Sequence, residues 1–184
     1  MKYYLDTEFI EAPNTIDLIS IGIKCEDGRT FYAESTCFDE RKASEWVKEN
    51  VLSKLRWYGN VKSTKGFCNV STNEGRTEAF GTLDVIRIAV IDFIGFDEPE
   101  FWGYYADYDW VVFCWLFGPM VDLPKGWPMY CKDLKQLADE TDTPQFPSLA
   151  DETDTPHFPP PLGEHDALVD AIWNEKFYKY LTAI

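Results

Sequence analysis

The sequence predicts a single α/β domain in which a mixed β-sheet is flanked by helices, and three observations carry that expectation. Strand patterns come first and helical patterns follow around one further strand, the order of a layered α/β sheet. The 184 residues are close to the size of one domain. A chain of that length can bury about 70% of its unfolded surface, so its core needs no staples. At 45% apolar, 16% aromatic and 27% charged, the composition is globular and excludes collagenous, disordered and disulfide-scaffold classes.

Residues 2–10 (KYYLDTEFI) are β-branched and aromatic apart from two acids, and Ala12, Pro13 and Asn14 then give a turn. A second apolar run, Ile16 to Cys25, ends at the Glu26-Asp27-Gly28 turn, and a third runs from Arg29 to Glu34, so a three-strand meander is expected. Asp39 can cap a helix carrying Ala43, Trp46, Val47 and Val51 on one stripe. Residues 57–78, rich in Gly, Ser and Asn with Lys62, Lys65 and Arg76, read as a long surface loop. Leu83, Ile86, Val90 and Phe93 mark a second helix, and Glu100 to Tyr105 a short aromatic strand. Asp107 stands where an N-cap belongs, before an all-round apolar helix, Tyr108 to Phe117, that is expected to be buried. Val169, Trp173, Phe177 and Tyr180 make the C-terminal segment an amphipathic helix.

Residues 137–148 (LADETDTPQFPS) are followed at once by 149–160 (LADETDTPHFPP), identical at 10 of 12 positions. Two copies are too few for a solenoid and their prolines forbid a continuous helix, so the second copy is expected to be an extended surface excursion. The acids Asp139, Glu140, Asp142, Asp151, Glu152 and Asp154 lack the glycine-turned spacing of a calcium loop and are read as solvated.

The formal charge is −15, from 17 basic and 32 acidic residues, which excludes a broad basic patch for gripping duplex DNA. Bound divalent cations at one locus could still let such a chain act on nucleic acid. The five cysteines never fall in a CxxC spacing, which reads as reduced thiols in a cytoplasmic setting. Asp6 and Glu8 interrupt any signal-peptide core, and the longest uncharged run, Trp110 to Val121, has only 12 residues, so no membrane span is expected.

Three places could hold chemistry. Asp6 and Glu8 lie two apart on a strand and leave the same face. Two like charges there cost several kcal/mol unless a cation offsets them, although the tripeptide alone fits two acids at a solvent-exposed strand end better. Asp109, after Tyr108 in the first helical turn, suits the helix dipole whatever its role, and Asp107 competes with it for cap or ligand. His165 and Asp170 are five apart, roughly 140° around a helix, so His165 belongs to the lead-in and Asp170 to the first turns. The other histidine, His157, sits in the duplicated segment where the first copy has Gln145, which leaves His165 as the strong imidazole base. Phe9, Ile10, Trp102 and Trp110 are candidates for stacking on a single-stranded end, with core packing as the competing role.

YYLDTEFIE, LISIG, YDW, FGPM and HDALVDA, in this order and these contexts, resemble the DEDDh 3′-to-5′ exonucleases, and most closely the RNase AS-type exoribonucleases, across nearly the whole chain. The resemblance implies an RNase H-like fold, action on single-stranded and adenylate-rich RNA from the 3′ end, and a homodimer. It also implies two Mg²⁺ or Mn²⁺ ions on Asp6, Glu8, Asp109 and Asp170, with His165 as general base. Asp109 is chosen over Asp107 because the family's acid directly follows an aromatic residue. The second LADETDTP copy and the acidic Asp107 are departures from the family pattern. A DNA exonuclease, an RNase H-like endonuclease and a non-catalytic RNA-binding module are the competing classes.

Overall fold

Seven strands build one mixed sheet. The computed structural model describes residues 1–58, 68–141 and 158–183. The central meander is β1 (Lys2–Ala12), β2 (Thr15–Cys25) and β3 (Thr30–Ser35), joined antiparallel as the sequence predicts. The β1–β2 register slips at Glu8/Phe9, where β2 carries one extra residue. Such a bulge re-aims side chains, and here it falls beside the two acids of β1.

From Asn69 onward the expected loop at 57–78 is a hairpin. β4 (Asn69–Asn73) pairs antiparallel with β5 (Arg76–Gly81), which pairs parallel with β3. Glu74 and Gly75 both have positive φ, 47° and 80°, which a tight type I′ turn requires. The strand escaped the pattern because β4 is an edge strand whose residues are all exposed, so no alternation of polarity marks it. Residues 59–67, with Lys62 and Lys65, lie outside the described residues.

Between β3 and β4 the sequence expectation needs a second correction. Asp39 caps only a short 3₁₀ turn, Glu40–Lys42. The helix α1 is Glu45–Asn50, started by Ser44, whose hydroxyl accepts from Val47 N at 3.2 Å. Ala43 is extended between them, so the two caps compete and the run divides.

α2 (Leu83–Ile94) and α3 (Asp107–Trp115) cover one face of the sheet, and α4 (Leu134–Glu140) and α5 (Ala167–Thr182) the other. β6 (Glu100–Gly103) and the two-residue β7 (Lys132–Asp133), both pairing parallel, complete the sheet in the order β4-β5-β3-β2-β1-β6-β7. Alternation along β1 divides the cores. Tyr3 and Leu5 pack with Phe93 and Phe113 on one side, and Tyr4 packs with Trp173 and Phe177 on the other. The result is the mixed sheet flanked by helices that the sequence predicts, consistent with an RNase H-like arrangement.

Asp107 is not the cap of α3. That place is taken by Ala106, whose N–H donates to Asp133 Oδ2 at 2.8 Å, and Asp107 falls inside the first turn. Nor is α3 buried all round, since Tyr108, Val111 and Trp115 form an exposed stripe. The first four residues of the duplication end α4, where Asp139 pairs with Lys135. The following stretch, 142–157, which holds most of the second copy and His157, lies outside the described residues. No described helix is long and apolar enough to cross a membrane.

Candidate active site

β1 runs on beyond its neighbour. It pairs with β6 only from Lys2 to Tyr4, so past Tyr4 the two parallel strands part, and the gap at the carboxyl end of β6 is where α/β sheets form their clefts. A cleft of about 630 Å³ opens there, lined among others by Asp6, Glu8, Asp109, His165, Asp170 and Asn174.

Asp6 and Glu8 project from the face of β1 that α5 covers, as their spacing predicts. Asp170 comes from the first turn of α5. The helix can approach because β2 carries Gly22 opposite Asp6. A Cβ at Gly22 would stand 2.1 Å from Ala167 O and 2.4 Å from Leu168 N, inside the backbone of the first turn of α5. The helix starts at Asp166, whose carboxylate accepts from Leu168 N and Val169 N and is itself held by Arg56 at 3.2 Å.

His165 lies on the lead-in, as expected, in the left-handed region at φ 68°. Its N–H donates to Asp170 Oδ2 at 2.7 Å, which ties the strained residue to the carboxylate it accompanies. The imidazole meets Trp46 edge-on at 4.7 Å, and Lys54 Nζ donates to the carbonyl of Glu164.

One carboxylate oxygen from each of Asp6, Glu8 and Asp170 lies within 4.8 Å of the others. Asp109 lines the same cleft but stands apart from that trio. It approaches from α3, on the opposite face of the sheet, and its Oδ1 accepts from both the N–H (2.7 Å) and the hydroxyl (2.6 Å) of Thr7.

The electrostatics follow from packing acids together. Burial, then the carboxylates of Asp109, Glu8 and Asp170, push Asp6 well above the ordinary range. Burial and the neighbouring Asp170 and Asp109 raise Glu8 to about 8. Burial raises Asp109 to about 6 against the two Thr7 hydrogen bonds, and Asp170 to about 6 against the N–H of His165. Burial, then the nearby Lys54 ammonium, lower His165 below the ordinary imidazole value.

These residues fit a hard divalent cation. The donors are all carboxylate oxygens, and Asp170 Oδ1 is buried with no hydrogen-bond partner among the described residues.

Of the four candidates for stacking, Phe9 lines the cleft, stacked on Tyr108 at 6.0 Å, whereas Ile10, at the cleft wall, is buried against Ile19, Phe38 and Val51. Trp102 and Trp110 are placed elsewhere. Trp102 is buried against Tyr178, and Trp110 in the opposite core against Phe101 and Phe113. Trp46, Thr7 and Asn174 were not singled out by the sequence. Asn174 follows Asp170 by one helical turn on the same face, a spacing that could have revealed it. Nothing local marks Trp46, whose contact with His165 spans 119 positions.

Residues 1–182 match the family model described as the 3′-5′ exoribonuclease Rv2179c-like domain. The chain is 36% identical over 183 residues to two Mycobacterium tuberculosis proteins, covering all of this chain and 94% of each relative. They are the 3′-5′ exoribonuclease Rv2179c of strain ATCC 25618 / H37Rv and the 3′-5′ exoribonuclease MT2234.1 of strain CDC 1551 / Oshkosh.

Proposed function

This chain belongs to the Rv2179c-like 3′-5′ exoribonuclease domain family, and from that membership and the cleft we propose that it is a metal-dependent exonuclease of the DEDDh type. It removes nucleoside 5′-monophosphates from the 3′ end of single-stranded, adenylate-rich RNA in the cytoplasm, and acts as a homodimer. The observation that carries the reading is the gathering of Asp6, Glu8 and Asp170 within 4.8 Å, beside His165.

Asp6, Glu8 and Asp170, joined by Asp109, would hold two Mg²⁺ or Mn²⁺ ions. Bound there, such ions supply Lewis acidity at the attacking and leaving oxygens of a phosphodiester. Four carboxylates that repel one another when empty offset the ionic charge, so the acidic chain can admit a phosphate. His165, whose proton affinity burial and Lys54 hold down, accepts a proton from the attacking water at a ring nitrogen. Asp170, through the N–H of His165, keeps that ring at the cleft, and Trp46 flanks it. Phe9 offers apolar surface to the terminal nucleotides.

The test is digestion of 5′-labelled poly(A), mixed-sequence RNA and DNA with Mg²⁺ or with EDTA, alongside circular RNA. A one-nucleotide ladder receding from the 3′ end, fastest on poly(A) and abolished by EDTA, is expected. Cutting of the circular RNA, or a ladder indifferent to EDTA, contradicts the proposal.

A further inference from the structure

β1 outlasts its pairing with β6, and two of the backbone groups left along that edge are met by side chains from the two helices that frame the cleft. The carbonyl of Leu5 accepts from Asn174 Nδ2 at 2.9 Å, and the N–H of Thr7 donates to Asp109 Oδ1 at 2.7 Å. The Thr7 hydroxyl then donates to the same oxygen at 2.6 Å, from a side chain only 5% exposed. Asp6 and Glu8 point to one side of the sheet and Thr7, between them, to the other.

We propose that Thr7 is a positioning residue: its hydroxyl and amide together fasten Oδ1 of Asp109, turning that carboxylate round the strand edge so that Oδ2 would be left for a cation that the trio would hold. The inference rests on the exonuclease reading and deepens it. A carboxylate arriving from the opposite face has no strand neighbour to orient it, whereas two donors on one oxygen fix its plane. Backbone alone supplies one of the two donors, so a residue without a hydroxyl leaves Asp109 half anchored. Partners of this kind behind a ligand are typically worth 10–100-fold in metal affinity or activity.

The experiment measures Mn²⁺ binding by calorimetry, and kcat and KM on a 5′-labelled RNA, for the wild-type chain, Thr7→Val, Thr7→Ala and Thr7→Ser. Thr7→Val, which keeps the shape and the amide, is expected to weaken Mn²⁺ binding by about 10–100-fold and to lower kcat with KM unchanged, while Thr7→Ser restores both. Thr7→Ala, carried in parallel in case the valine does not fold, is expected to behave as Thr7→Val. Wild-type Mn²⁺ affinity in either folded variant lacking the hydroxyl, or no recovery with serine, overturns the assignment. A wild-type chain that binds no Mn²⁺ and releases no mononucleotide overturns the exonuclease reading instead.

Discussion

Asp6→Asn is expected to abolish mononucleotide release and, at the same time, to make the cation-free protein more stable. The loss follows from removing an anionic ligand whose cation is worth several kcal/mol in the transition state, about 10³-fold in rate. The gain follows from the raised carboxyl. A folded-state pKa above the unfolded value near 4 means that folding without a cation costs progressively more as pH rises from there through the folded pKa. Asparagine has no such cost, so the variant's advantage in melting temperature is absent near pH 4 and grows toward pH 8. Mn²⁺ should reverse the order, stabilising the wild type at pH 8 far more than the variant, because a ligand that binds only the folded state raises its stability. Melting curves at pH 4, 6 and 8, with and without Mn²⁺, read all of this. An Asp6→Asn protein that is inactive but less stable than wild type at pH 8 would make Asp6 a structural residue instead.

Gly22→Ala is expected to damage fold and activity together, though it lies on a strand and touches no substrate. The added carbon would fall 2.3 Å from the carbonyl carbon of Ala167, and backbone cannot yield as a side-chain tip can. The first turn of α5 must lift, taking Asp170 and the tethered His165 with it. Forced overpacking costs about 1–3 kcal/mol, and each kcal/mol lowers the melting temperature of a chain this size by roughly 2–4 °C. A misplacement of about 1 Å at reacting groups can cost about 100-fold in rate. Melting temperature and ladder assay on this variant check both effects, and wild-type values in both would show that α5 does not depend on that close approach.

The legible parts of the molecule are those where one chemical pattern had one structural meaning. The meander was plain because β1 to β3 have apolar runs broken by turn residues, and α5 because Trp173 and Phe177 keep a helical stripe. The placement of His165 before the helix and Asp170 within it followed from spacing alone. β4 and β5 were hidden because an exposed edge hairpin has the composition of a loop. Trp102 and Trp110 could not be placed, because a tryptophan near a motif in sequence can face either core, and both do. The offset of Asp109 was illegible for a related reason: a motif names the acid, but the side of the sheet from which it arrives is set by the crossover that carries α3 from β6 to its parallel neighbour β7. Thr7 was in view throughout, between the two acids, and only the hydrogen bonds to Asp109 give it a part.

The central claim is that carboxylates from β1 and α5 meet to hold a divalent cation. A crystal of the wild-type chain grown with Mn²⁺, with anomalous diffraction recorded at the manganese edge, tests it most directly. Manganese peaks are expected among the carboxylate oxygens of Asp6, Glu8 and Asp170, with Asp109 at their edge and His165 beside them. Manganese found only at other surface acids, with that cleft free of anomalous signal, would contradict it.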